Sequence, residues 1–295
     1  MRCSPKIASA SGRRSRRRAA AVSGIDLQIE RLNSVKDLVR GSNGIRVLDP
    51  GGFEVAGCPF GLASATSGHA VLDWIRIGYE LGAAGAIEGL VMGPVDSDSL
   101  KQTGKMPDID ALQPDGTFML RLAAGLRIVP LSEHVGLVEA IALVSTERLL
   151  HVLRLVHEHL GKWGVAKPRI AVAGINPHAM FAEDRERIGP AIEAARGAGI
   201  DAHGPIGPDT VFRMALDGRY DAIITMYHDQ GQIVVKTVGF EGACTVYLGL
   251  PYVLLNVPHG SAFDIAGTGV AQHLSMLAAI RTAANLATGR GIAIN

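Results

Sequence analysis

Ile170-Ala-Val-Ala-Gly-Ile175, cut off by Asn176-Pro177 and followed at once by His178, is the stretch on which the reading of this chain turns. A short apolar run bounded by turn formers is the signature of a strand buried on both faces. The pattern recurs twice: Leu126 to Leu131 precedes His134, and Ala222 to Met226 precedes His228 in Met226-Tyr-His-Asp-Gln-Gly231. In an open parallel α/β sheet, ligands bind in the crevice beyond the carboxyl ends of the strands. Three histidines placed there can converge on one point, and convergent neutral imidazoles make a metal site.

Outward from these runs the alternation continues. Ile45 to Leu48 reads as a short strand ended by Asp49-Pro-Gly-Gly52, and Gly85 to Met92 as a buried strand. Ser67 to Leu81 reads as a helix capped by Ser67 and stopped near Gly82, and further helices are expected over Thr146 to Lys162, Ile188 to Arg196 and Asp209 to Leu216. Repeated strand-helix alternation without internal repeats means an α/β fold, a mostly parallel sheet with helices on both faces. His151, His157 and His159 fall within the helix from Thr146 and read as surface residues.

With 295 residues, 47% hydrophobic and 19% charged, the chain can bury one large core or two lobes. Its 36 glycines and few aromatics suit strands that feed helices through tight turns. The net charge of +1 gives no reason to expect a nucleic acid or a membrane surface as partner, and no apolar run approaches the ~20 residues of a membrane span. Cys3, Cys58 and Cys244 form no CxxC pair, so neither a disulfide framework nor a thiolate metal site is indicated, and a reducing, cytoplasmic home is expected. Arg2, Lys6, Arg13, Arg14, Arg16, Arg17 and Arg18 crowd the start with no acid among them, leaving the body mildly acidic. Residues 1–24 accordingly read as a disordered basic leader.

Six blocks then carry a family resemblance. They are Ile170 to His178; Gly204-Pro205 with Pro208-Asp-Thr210; Tyr220-Asp-Ala222; Met226 to Gly231 with Lys236; Leu248-Gly-Leu-Pro251; and His259-Gly-Ser-Ala-Phe-Asp-Ile-Ala-Gly267. In this order they resemble the 4-hydroxythreonine-4-phosphate dehydrogenase family, and the last is similar to the adenosine-side loop of isopropylmalate and isocitrate dehydrogenases. The resemblance implies the isopropylmalate dehydrogenase-like fold over residues 25–295, with approximate lobes of 25–125 plus 245–295 and of 126–244, a site in the cleft between them, and a homodimer.

In that family three histidines hold a divalent metal, and the matching positions are His134, His178 and His228, the three that strand position had singled out. Such donors suit zinc, cobalt, manganese or magnesium. The implied reaction oxidises a secondary alcohol of a small-molecule hydroxy acid: the cation polarises the oxygen, NAD or NADP accepts hydride, and a 3-keto acid product can then lose carbon dioxide. Lys236 matches a family lysine that contacts substrate, and with Asp229 it is the catalytic candidate. His259, Gly260, Asp264 and Gly267 are the cofactor-binding candidates, small residues letting the backbone approach an adenine-ribose while His259 stacks or hydrogen-bonds and Asp264 accepts from a hydroxyl. No GxGxxG follows a predicted strand, so a Rossmann-type site is not expected.

Departures from the family pattern point at the substrate. The opening strand and its Gly-Asp-Pro loop are replaced by the arginine-rich start. The Gly-His-Thr-Glu block has no counterpart between Gly104 and Phe118, a family lysine position is Ser97, an asparagine position is Thr245, an arginine position is Leu254, and Met180-Phe-Ala-Glu-Asp184 replaces a Gly-Glu-rich stretch. Arginine, lysine and histidine are the side chains that hold a phosphate dianion. Losing several while keeping the triad predicts retained alcohol oxidation on an altered substrate, threonate or erythronate 4-phosphate or a cis-dihydrodiol carboxylate. A catalytically inactive metal-binding homologue is the alternative from another class.

Overall fold

The apolar runs before the three histidines are strands, Leu126–Pro130, Ile170–Ala173 and Ala222–Thr225, the last two with every residue buried. The computed structural model that contains them describes residues 8–10, 13–37, 45–50 and 57–292. The chain divides into two compact units, Met1–Pro114 with His259–His273, and Asp115–Pro258 with Leu274–Asn295.

The first unit holds β1 (Ala8–Ala10), α1 (Arg13–Val22), β2 (Ile29–Leu32), β3 (Ile45–Leu48), α2 (Ala65–Ala83), β4 (Gly89–Val91) and α3 (Ser97–Gln102). The described part of the basic start is thus structured, not a disordered leader. Arginine and alanine are strong helix formers. Arg18 anchors α1 by donating to the Cys58 carbonyl at 2.6 Å and by standing 3.6 Å over the Phe60 ring. β1 lies parallel to β3, with β2 parallel on the other side, so the arginine-rich start carries a strand of its own. Gly51 and Gly52, which close the expected turn after β3, lie outside the described residues.

α2 begins earlier than expected. Its cap is Ser64, whose hydroxyl accepts from the Ser67 amide at 3.1 Å, while the Ser67 hydroxyl donates back to the Ser64 carbonyl. A serine three residues inside the cap carries the same polar signal, which is why sequence placed the boundary at Ser67. Gly68 lets α2 lie against α3, because a Cβ there would stand 2.2 Å from the Ser99 carbonyl oxygen.

The second unit holds β5 (Phe118–Ala123), β6 (Leu126–Pro130), α4 (Leu137–Leu143), α5 (Thr146–Lys162), β7 (Ile170–Ala173), α6 (Gly189–Gly197), β8 (Ala202–Ile206), α7 (Val211–Leu216), β9 (Ala222–Thr225), α8 (His228–Val238), β10 (Cys244–Leu248), β11 (Val253–Asn256) and α9 (Leu274–Ala287). Its strands stand in the order β11-β10-β5-β6-β9-β7-β8. β6, β9, β7 and β8 are parallel, whereas β11, β10, β5 and β6 pair antiparallel. These antiparallel ladders carry residues 115–125 and 245–258 into the second unit, and α9 joins it by packing against β10 and β11, although the sequence reading grouped all three segments with the first lobe. A hairpin such as β5–β6 is a local pairing that no change in composition announces.

Every residue of β5, β7, β9 and β10 is buried, so helices cover both faces of the sheet. Beneath α7 and α8 one apolar cluster joins Leu126, Ile128, Ala171, Ile223, Phe212 and Val235. The histidines of α5 differ among themselves: His151 is exposed, but His159 is buried. Helical spacing puts His159 on the stripe of Val152, Val156 and Leu160, which faces the core.

Candidate functional site

β6, β9 and β7 are successive neighbours running the same way, so the loops after their carboxyl ends open on one edge of the sheet. Those loops carry His134, His228 and His178. His228 is the first residue of α8, with Tyr227 as its extended N-cap. The rings of His134 and His228 stand 4.8 Å apart, tilted by 53°. His228 Nδ1 lies 2.7 Å from the Asp229 carboxylate. With the proton on Nδ1, the carboxylate fixes the tautomer and leaves Nε2 with the lone pair a metal ion needs.

Several bonds hold this edge. The Leu131 amide donates to the Thr225 carbonyl at 2.7 Å, and the Ser132 hydroxyl to the Met226 carbonyl at 3.4 Å, which seats the His134 loop on the end of β9. Gln230 then ties β9 to β7: its side-chain oxygen accepts from the Met226 amide at 2.7 Å and its nitrogen donates to the Gly174 carbonyl at 2.9 Å. Gly231 lets α8 approach the sheet, since a Cβ there would stand 2.8 Å from Ile128 Cγ2.

His178 is presented differently. It occupies a 3-10 turn with φ 58°, and Ala179 follows at φ 53°, left-handed conformations that few L-residues adopt. The fully buried Asp184 carboxylate underlies the turn, accepting from the Ile175 amide at 2.8 Å, the Asn176 side chain at 3.1 Å and the Phe181 amide at 3.2 Å. Sequence analysis missed both Gln230 and Asp184. The signal for Gln230 was its place inside the His228 block, but a glutamine names no chemistry by itself.

Imidazole nitrogens are donors that suit a divalent cation, and three of them lie on neighbouring strand ends, His134 and His228 with their rings in contact. The three side chains do not converge on one point. Among the described residues, no group of three His, Cys, Asp or Glu side chains stands close enough together to hold a metal ion. Lys236 is not beside the histidines either: it is exposed in the last turn of α8, eight residues or ~12 Å of helix rise from His228. Asp229 is adjacent, and its contact is with the His228 ring. Burial pushes the Cys244 thiol up to about 11, so it stays protonated at neutral pH and is no nucleophile.

The cofactor candidates belong to the first unit. His259 is half-buried, with Nδ1 3.0 Å from the Gly260 carbonyl oxygen. Asp264 lies in the 3-10 turn Phe263–Ile265, exposed. Gly267 has φ 83°, and a Cβ there would stand 2.6 Å from Phe60, so packing accounts for that glycine. At Gly260 no heavy atom lies within 4 Å of a built Cβ and φ is not left-handed. The fold therefore does not require glycine there, and the backbone is open to an approaching ligand.

Comparison with known proteins gives a concordant result. The family model described as pyridoxal phosphate biosynthetic protein PdxA matches residues 2–283. A Novosphingobium aromaticivorans protein provisionally named 4-hydroxythreonine-4-phosphate dehydrogenase is 42% identical over 247 residues, 84% of this chain and 75% of its own length. The D-threonate 4-phosphate dehydrogenase of Cupriavidus necator is 38% identical over 247 residues, 79% of this chain and 74% of its own. Among solved structures, 4-hydroxythreonine-4-phosphate dehydrogenase from Klebsiella pneumoniae superposes with a TM-score of 0.83 at 29% identity, covering 94% of this chain and 89% of that one.

Proposed function

Because the chain belongs to the PdxA family of pyridoxal phosphate biosynthetic proteins, we propose that it is a metal-dependent, nicotinamide-linked dehydrogenase of a phosphorylated hydroxy acid. It is an enzyme that oxidises a CH–OH group. The observation that carries the finer reading is the edge itself: His134, His228 and His178 close three adjacent parallel strands, with His134 and His228 in ring contact. His134, His178 and His228 would hold the cation, as in the order read from the sequence.

When bound, a divalent cation polarises the alcohol oxygen and NAD or NADP takes the hydride, so the carbinol carbon becomes a ketone and the hydroxyl proton is released. A ketone formed beta to a carboxylate can then lose carbon dioxide. The protein's part is positional. Asp229 holds the Nδ1 proton of His228, Gln230 locks the ends of β7 and β9 together, and Asp184 keeps the His178 turn in its left-handed form. Lys236, one α8 length away from His228, meets an anionic group at the far end of the substrate. His259, Gly260 and Asp264 offer the adenosine side of the dinucleotide a ring, an open backbone and a carboxylate, on a loop that Gly267 packs into place.

D-threonate 4-phosphate is the first substrate to test. Relatives at 37% and 38% identity bear that name, and the replacements at Ser97 and Leu254 and the missing Gly-His-Thr-Glu block alter the family's anion contacts. The protein should turn over D-threonate 4-phosphate with NAD or NADP faster than 4-hydroxythreonine-4-phosphate. Chelation, or His228→Ala, should remove the activity. Undiminished turnover after chelation would refute the metal-dependent reading, and preference for 4-hydroxythreonine-4-phosphate would refute the altered substrate.

A further inference from the structure

One residue before His134, the Glu133 carboxylate takes both terminal nitrogens of Arg121, Nη1 to Oε1 at 2.9 Å and Nη2 to Oε2 at 2.5 Å. The pair is sequestered, the Arg121 side chain 4% and that of Glu133 18% exposed. Stability is a poor explanation for it. Desolvating two charges offsets much of their attraction, and an apolar pair of similar volume stabilises a core as well or better.

What the pair does supply is orientation. A planar guanidinium donates to a carboxylate in a two-pronged geometry that fixes the plane of both groups. Arg121 is itself immobile in mid-strand, opposite Ile128 of β6 on one side and Thr245 of β10 on the other. Its grip therefore fixes Glu133 relative to the sheet. The Val135 amide donates to the Glu133 carbonyl at 2.8 Å, so the backbone bends tightly around His134 from that fixed point. Leu131 and Ser132 seat the front of the same loop on β9. The imidazole between these anchors is the one in ring contact with His228.

We propose that Arg121 and Glu133 are positioning residues, an ion pair that holds the His134 imidazole against His228 and so sets the geometry of the cation site. The proposal rests on the reading of His134 as a ligand and is independent of which hydroxy acid is oxidised. By engaging both carboxylate oxygens, Arg121 also withholds Glu133 from the cation.

The decisive variant is the double substitution Arg121→Met with Glu133→Gln, which leaves no buried charge unpaired. It should melt close to the parent temperature. In histidine-labelled protein without metal, the parent should show a nuclear Overhauser contact between the His134 and His228 rings, and the double variant should lose it. Cobalt binding followed by calorimetry should weaken 10- to 100-fold, the range for removing a group that orients a metal ligand. Glu133→Gln alone should show the same two losses; if it fails to fold, the double variant decides. Retention of ring contact and cobalt affinity in the double variant overturns the proposal. So does tighter cobalt binding by Arg121→Met, the outcome expected of a released carboxylate that joins the ligands. If the parent itself binds no cobalt, the metal reading falls, and the ring contact alone decides: kept in the double variant, it overturns the positioning role; lost, it upholds it.

Discussion

Gln230 shows how much of a site can depend on a side chain with no reactive chemistry. Its two hydrogen bonds cross from the Met226 amide to the Gly174 carbonyl, and those atoms lie at the roots of the loops that carry His228 and His178. Gln230→Ala leaves a donor and an acceptor in a partly buried place with no partner, and should cost about 1–3 kcal/mol in urea unfolding. Gln230→Glu keeps an acceptor for Met226 but turns a carboxylate oxygen toward the Gly174 carbonyl in place of a donor, so at neutral pH it should cost at least as much as alanine. Equal stability of all three proteins would mean that solvent replaces the cross-link. The histidines were legible from sequence because each follows an apolar run. Gln230, Asp184 and Arg121 were not, because a polar residue acquires its role from a partner that the chain brings near only on folding.

At the scale of elements, α5 is tied to the turn after β10 through a buried histidine. His159 Nδ1 lies 2.9 Å from the Leu155 carbonyl, and Nε2 accepts from the Gly249 amide at 3.3 Å. Both bonds need the neutral ring with its proton on Nδ1. Burial lowers the His159 pKa below the ordinary value of 6.5, outweighing the Leu155 carbonyl that raises it. The unfolded chain therefore takes up this proton first as the pH falls. The stabilisation is complete above about 6.5, and declines on acidification toward the lowered folded value at no more than about 1.4 kcal/mol per pH unit. Denaturant unfolding between pH 7 and 5 should show this slope in the parent and a shallower one in His159→Gln. An unchanged slope would assign it to other groups. The helix itself, Thr146 to Lys162, was read from sequence with both boundaries correct because a serine cap and an apolar stripe coincide. β5, β10 and β11 escaped notice: polar residues, Arg121, Thr245 and Asn256, break or end their apolar runs, and β5 finds its partner β10 only across a long stretch of chain.

On the scale of the whole molecule, all three histidines belong to the second unit and the cofactor candidates to the first. A cation that binds the folded second unit and not the unfolded chain must stabilise it by mass action. Cobalt at a hundred times its dissociation constant should add about 2.7 kcal/mol to the stability of that unit. The rise should disappear with chelator and in His228→Ala; no rise in the parent would argue against a resident metal site. The sequence by itself determined the α/β class, the strands before the three histidines and the family, because buried runs, caps and ordered motif blocks are local properties of a chain. The tertiary structure alone decided that the arginine-rich start contributes β1 and α1, that three distant segments join the second unit, and that His134 and His228 meet while His178 waits in a left-handed turn. The physical reason is the same in each case: these outcomes depend on backbone ladders, buried ion pairs and close helix-sheet approach, whose partners lie far apart in sequence and act only when packed together.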